Sequence, residues 1–235
     1  MNRVAIVTGA SRGIGRAMAI GLAEDGFEVA LLARGRAELE ALASTLVIGS
    51  GVEHSVHAVD VADAAAVADA MALILDRHGR VDVLVNNAGA YVAGGLDLSV
   101  PDFELMLKVN LVAPFLFMKA ALPIMKAQGS GYVFNVASRA GKVGFAGDSG
   151  YVAAKFGLVG LNESIYRQFA EAGISVTSLN PGWTNTSMAR ESGTPLAEDE
   201  MIQPSDILET VRWLLRLSPA VRVREVMLEC RLSIS

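Results

Sequence analysis

The feature that most restricts the fold is an alternation. Seven short apolar or β-branched runs, at 4–7, 29–32, 55–59, 83–85, 132–136, 174–179 and 223–228, are separated by segments with helical spacing. Those segments lie at 16–24, 36–46, 63–77, 101–126, 151–171 and 204–217. Parallel strands need a crossover, usually a helix, and right-handed crossovers place successive helices on predictable faces. The alternation therefore predicts an α/β fold, a doubly wound parallel sheet of about seven strands with helices on both faces. Near-continuous apolar runs suit strands covered on both sides. The 235 residues, 52% hydrophobic and 19% charged, suit one large domain over 1–235 rather than a disordered chain or two small domains. The stretch 185–199, rich in Ser, Thr, Glu and Gly, is expected to form a mobile lid.

Composition narrows the partners. The formal net charge of −5 argues against a broadly basic nucleic-acid-binding surface. A lone cysteine, Cys230, excludes an intramolecular disulfide framework and a cysteine-rich zinc site, and fits a reducing compartment. No metal is expected. The N-terminus runs straight into a short strand without signal-peptide character, and the apolar stretch 111–125 is interrupted by Pro114, Lys119 and Pro123 and is too short to span a bilayer. These features predict a cytoplasmic protein with neither a membrane nor a nucleic acid as partner.

The first predicted strand ends in Thr8-Gly9-Ala10-Ser11-Arg12-Gly13-Ile14-Gly15, and a helix follows at once. This is the place where a sheet of this kind binds the pyrophosphate of a dinucleotide. Gly9 permits a tight turn, Gly13 leaves room for the diphosphate at the helix N-terminus, where free N–H groups favour an anion, and Gly15 lets helix and strand approach. An NAD-selective site carries a carboxylate at the end of the second strand for the ribose hydroxyls. Here that position reads Leu32-Ala33-Arg34, and Arg34 with Arg12 suits a 2′-phosphate, which favours NADP(H) over NAD(H). Arg34 opening a solvated helix is the bland alternative. Asp60-Val61 after the third strand fits beside the adenine, although Asp60 suits a helix cap equally well.

Four further signals join these. Asn86-Asn87-Ala88-Gly89 closes the fourth strand, Asn110 lies in a long helix, Ser138 follows the fifth strand, and Tyr151 and Lys155 stand four residues apart at a helix start. That spacing puts phenol and ammonium on one face, and Ser138 precedes them by a loop long enough to return its hydroxyl over that face. An adjacent ammonium is expected to lower the Tyr151 pKa and make it a catalytic acid/base. In carbonyl reduction Tyr151 would protonate the oxygen that receives charge as hydride arrives, while Ser138 holds it. Asn110 would position a water connecting Lys155 to solvent.

Taken together, these residues resemble the short-chain dehydrogenase/reductase (SDR) family over nearly the full chain, most nearly 3-oxoacyl-acyl-carrier-protein reductases and related NADP-dependent carbonyl reductases. The resemblance implies a single Rossmann-type domain and a catalytic tetrad of Asn110, Ser138, Tyr151 and Lys155. It also implies a cofactor site lined by Ser11, Arg12, Ile14, Asn87, Val109, Tyr151, Lys155 and the segment from Pro181-Gly182 through Thr184 and Thr186, with both threonines flanking the nicotinamide carboxamide.

Two departures from the acyl-carrier relatives stand out. Their usual glycine-rich tail is replaced by Glu229-Cys230-Arg231-Leu232-Ser233-Ile234-Ser235, and near the mouth only Lys126 and Arg167 are available to an acidic carrier protein. A free small carbonyl or alcohol substrate is therefore an equal expectation. Tyr91, Val92, Ala140, Val143, Phe145 and Trp183, with the lid, are expected to select it. Helices 101–126 and 151–171 are expected to build a homodimer or homotetramer. The rival from another class is a dinucleotide-binding regulator without turnover, which would have no need of the tetrad. A sugar-nucleotide epimerase would want a longer chain, and a helix bundle is at odds with seven strands.

Overall fold

The computed structural model describes residues 2–50 and 52–233; Met1, Gly51, Ile234 and Ser235 lie outside the described residues, so the last two positions of the tail carry no structural account. Seven strands form one parallel sheet: β1 (Arg3–Thr8), β2 (Phe27–Ala33), β3 (Ser55–Ala58), β4 (Val83–Asn86), β5 (Gly131–Val136), β6 (Ile174–Pro181) and β7 (Glu225–Leu228). Their order is β3-β2-β1-β4-β5-β6-β7. The chain winds outward from β1 to β3, then returns to β4 on the other side of β1, so a crevice opens at the C-terminal ends of β1 and β4.

Alternation along each strand divides the core. Val7, Val29, Leu31 and Phe134 face α1 (Gly13–Glu24), α2 (Arg36–Ser50) and a later helix at Pro204–Arg216, while Ile6, Ala30, Leu32 and Val133 face the opposite layer. That second layer holds α3 (Ala64–His78), α5 (Ala113–Gln128) and α6 (Ser149–Phe169), with α4 (Val100–Leu107) leading into α5. Asp63, rather than Asp60, caps α3, accepting from the N–H groups of Ala65 and Ala66 at 2.9 and 3.2 Å.

The helix expected over 101–126 is real but not uniform. Between α4 and α5 the chain forms a π turn, Lys108–Val112, in which the Ala113 N–H donates to the Lys108 carbonyl five residues back. Pro114 explains it: proline has no N–H for the carbonyl of Asn110 and its ring clashes there, so the helix opens by one residue. The whole run Val100–Gln128 has 29 residues, and its most apolar 18-residue window has a mean hydropathy of 1.6, so it is longer than the 111–125 stretch and long enough to cross a bilayer. Burial accounts for its character instead, because half of its most apolar window lies inside the fold, where Phe117, Met118 and Leu122 join the core. Residues 185–199 are also more ordered than a loop. They contain α7 (Ser187–Glu191), capped by Thr186, and a 3₁₀ turn at Glu198–Glu200, ahead of α8 (Pro204–Arg216).

Candidate active site

A cleft of about 680 Å³ runs along the C-terminal ends of the strands. At its centre the β1 strand ends in the glycine loop. Gly9 has φ +65°, a conformation that side chains disfavour, and a Cβ on Gly15 would overlap the Gly9 carbonyl and the Asn87 amide. Gly15 therefore holds α1 against the loop and does not itself line the cleft, whereas Gly9, Ser11, Arg12, Gly13 and Ile14 do. The α1 N-terminus receives no side-chain cap, so its N–H groups stand beside this space.

The Thr8 hydroxyl ties this loop to the end of β4. It accepts from the N–H groups of Asn87 and Ala88, both at 2.9 Å, and the Asn87 amide donates back to the carbonyl of Thr8 at 2.9 Å. Asn87, Ala88 and Gly89 line the cleft, while Asn86 turns inward and donates to Asn135 at 2.8 Å, which in turn donates to Asn162 of α6 at 3.0 Å. A buried chain of asparagines thus fixes α6 against β4 and β5.

At one end Arg34, Asp60 and Val61 join Arg12 along the wall. Arg12 and Arg34 are exposed, and Arg12 lies 4.0 Å from Glu191 of α7. Glu38 also lines this end. Helical spacing alone gave no signal for it, because α2 brings it back over Gly35 only once folded. Asp60 accepts from the Ala62 N–H at 3.0 Å within its turn.

At the other end Ser138, Tyr151 and Lys155 share the wall with Val109, Pro181, Gly182, Thr184 and Thr186. Lys155 is buried and its Nζ donates to the Val136 carbonyl at 2.9 Å, 5.5 Å from the Tyr151 ring centroid. Burial lowers its pKa to about 8. The expected depression of the Tyr151 phenol is not met. Burial pushes it up to about 12, a hydrogen bond with Ser138 pulls it down, and the Asp148 carboxylate adds to the rise. Spacing showed the lysine beside the tyrosine but not how dry the place would be.

Asn110 stands apart from these three. It is fully buried and lies behind the cleft wall. Its Nδ2 donates to the carbonyls of Ala90 and Met106 at 2.8 and 2.9 Å, and its Oδ1 accepts from the Ala90 N–H at 3.3 Å. The side chain braces the π turn against the segment after β4 with both of its amide hydrogens engaged.

The family model described as short chain dehydrogenase matches residues 3–196. The chain belongs to the short-chain dehydrogenase/reductase family. A D-beta-hydroxybutyrate dehydrogenase from Rhizobium meliloti is 34% identical over 215 residues, covering 90% of this chain and 83% of its own. Among solved structures, a betaketoacyl-[ACP] reductase from Bacteroides thetaiotaomicron superposes with a TM-score of 0.87 at 40% identity, covering 100% and 99% of the two chains. An alcohol dehydrogenase from the archaeon Thermococcus sibiricus, complexed with 5-hydroxy-NADP, gives 0.91 at 35% identity over 99% and 98%. The protein is thus an SDR oxidoreductase with 3-oxoacyl-reductase-like relatives.

In this SDR the residues expected to meet substrate divide. Tyr91, Ala140, Phe145 and Trp183 line the cleft with Met188 of the expected lid, joined by Leu105, Arg139 and Asp148, which pattern reading missed. Val143 is exposed, and the Val92 N–H points to the Met106 sulfur at 3.4 Å. Asp148 had one available signal, as a carboxylate three residues ahead of the tyrosine.

Proposed function

We propose that this SDR is an NADP(H)-dependent carbonyl reductase that interconverts a ketone and a secondary alcohol, with Tyr151 as the acid/base. The observation that carries the reading is that one cleft holds both the glycine loop at the α1 N-terminus and the Ser138, Tyr151 and Lys155 wall. A side chain at Gly9 would press on Asn87 and Ala88, so the loop keeps the open cradle that a diphosphate needs. Gly9, Ser11, Arg12, Gly13, Ile14 and Asn87 would hold the dinucleotide, with Ala88, Gly89 and Val109 along its path and Asp60 and Val61 toward the adenine. Arg12 and Arg34, which both line the far end, suit a 2′-phosphate through forked hydrogen bonds. Pro181, Gly182, Thr184 and Thr186 would border the nicotinamide. When bound, the nicotinamide supplies or accepts the hydride.

The chain's own groups handle the oxygen and its proton. Ser138 donates to the carbonyl oxygen and stabilises the charge that develops on it. Tyr151, with its phenol neutral throughout the physiological range, protonates that oxygen in the direction of reduction. The reverse reaction needs the phenolate and so rises with pH. Lys155, lowered to about 8, exchanges protons readily near neutrality and restores the phenol. Asn110 positions this machinery through its grip on Ala90 and Met106. The segment 185–199 would act as the lid, since Ser187, Met188, Ala189 and Ser192 overhang the cleft.

Exposed Leu105, Val112 and Phe115 on the α4–α5 run and Phe156 on α6 leave an apolar face, which we assign to a homodimer or homotetramer contact. Purified protein that elutes only as a monomer would remove that assignment. Cys230, buried with its thiol donating to the Trp183 carbonyl at 3.0 Å, is in keeping with the reducing cytoplasm.

The experiment follows cofactor absorbance with ketones, β-ketoesters, acyl thioesters and quinones, with NADPH and NADH in parallel. NADPH-dependent turnover of a ketone or ketoester is the expected result. Preference for NADH would overturn the roles of Arg12 and Arg34, and preference for acyl thioesters would move the substrate toward the 3-oxoacyl class.

A further inference from the structure

The substrate end of the cleft carries an acidic side chain that the proposed reaction does not use. Asp148 immediately precedes α6 and lines the cleft, and its carboxylate does not cap the helix. Its Oδ1 instead accepts from the Tyr91 hydroxyl at 2.8 Å. The Tyr91 ring meets Tyr151 edge-on, with centroids 5.5 Å apart at 83°. A phenol that packs against the proposed acid thus holds the carboxylate in place. The backbone is fixed as well: the Asp148 N–H donates to the Phe145 carbonyl at 3.3 Å, and its carbonyl accepts from Val152 at 2.8 Å.

Cations of the neighbouring elements are committed elsewhere. Arg139 pairs with Glu229 at 3.6 Å and donates to the Ser233 carbonyl, Lys142 pairs with Glu225, and Lys155 donates to the Val136 carbonyl. Among the described residues no ion pair is formed by Asp148. The rest of this end is largely apolar, built from Leu105, Ala140, Phe145, Trp183 and Met188. A fixed charge in the wall of a concave cleft acts on whatever enters, because the low-dielectric walls focus its field into the opening.

We propose that Asp148, held by Tyr91, is a charge filter that admits neutral or cationic carbonyl compounds and excludes those with a carboxylate near the carbonyl. The inference rests on the oxidoreductase reading above and narrows its substrate class. It separates this chain from any relative that reduces a short oxo acid. The same charge reaches the proposed acid: Tyr151 faces Asp148, Tyr91, Ser138 and Lys155, with Arg139 on the same wall, and the carboxylate disfavours its phenolate. One side chain thus repels anionic substrates and adds to the burial that keeps the phenol protonated.

The test uses two ligands of nearly the same size that differ in charge, acetoacetate and acetoacetamide. Calorimetric titration into protein saturated with NADP+ gives dead-end binding that needs no turnover. The amide is expected to bind at least about tenfold more tightly than the acid, Asp148→Asn to bring the two within about threefold, and Asp148→Glu to restore the gap. Wild-type protein that binds both equally, prefers the acid, or binds neither overturns the proposal, as does an Asp148→Asn protein with the gap unchanged. The kcat/KM values for the same pair with NADPH are measured in parallel. If the binding gap is found but no turnover occurs, it is the reductase reading that fails and the filter that survives.

Discussion

Two buried polar clusters in this molecule share a hydrogen-bonding logic and differ in what they face. At the C-terminal ends of the central strands, Ser138, Tyr151 and Lys155 line the cleft. At the outer edge of the sheet, Ser55 Oγ of β3 lies 3.1 Å from His78 Nε2, and His78 Nδ1 lies 3.2 Å from Glu28 Oε1. By distance alone the second cluster is the better ordered chain of nucleophile, base and orienting carboxylate. Yet Ser55 is 5% exposed, its hydroxyl is shared with His57 Nε2 at 3.0 Å, and the cleft does not reach it. Short distances arise wherever buried polar groups must satisfy one another. A site needs, in addition, a concave surface that admits a reacting molecule beside those groups.

The largest effect that sharpens this contrast is expected at Tyr151. Tyr151→Phe removes the proton donor and should lower kcat by roughly a hundred- to ten-thousand-fold, and Ser138→Ala by roughly a hundredfold or more. Steady-state rates with NADPH check both. The next effect concerns the cofactor end. Arg34→Ala should raise the KM for NADPH by about tenfold to a hundredfold with little change for NADH, since one charged hydrogen-bond partner is lost. A proportional loss for both cofactors would show that Arg34 only shapes the α2 start.

The edge cluster predicts a pH effect on stability rather than on chemistry. All three histidines of the chain lie there, and burial lowers each, His57 to about 4 with help from repulsion by His78, Arg77 and Arg36. Burial also dominates at His78, where Glu28 raises and Arg77 lowers the value. Because the folded pKa values lie below the ordinary 6.5, the unfolded chain binds more protons between pH 6.5 and 4. Stability is therefore complete above pH 6.5 and is lost as pH falls toward 4. Thermal melts across that range should show a falling Tm, and His57→Asn should flatten the slope; an unchanged slope would place the titrating groups elsewhere. The smallest effect is expected for Ser55→Ala, about 1 kcal/mol of stability with turnover unchanged. A Ser55→Ala protein without turnover would break the comparison outright.

Much of this architecture was legible before folding was considered. Strands covered on both faces must read as nearly continuous apolar runs, which is why all seven appear in the chain at close to their final bounds. The glycine loop and the Tyr151-Lys155 pair were legible because both depend on local spacing along one turn or helix face. What escaped depends on depth and on contacts between distant segments. The sign of the Tyr151 shift follows from burial, the bracing role of Asn110 from a π turn that meets Ala90, and the approach of Asp148 to Tyr91 from a fold that joins positions 57 residues apart. Glu38 and the asparagine chain from Asn86 to Asn162 belong to the same class.

The most direct test compares wild-type protein and Tyr151→Phe at equal saturation with NADPH, with cofactor binding followed by fluorescence and ketone reduction by absorbance on the same samples. The expected result is unchanged NADPH binding and loss of nearly all reduction in the variant. Reduction at wild-type rates without the Tyr151 hydroxyl would contradict the assignment of the proton donor and with it the mechanism built on this cleft.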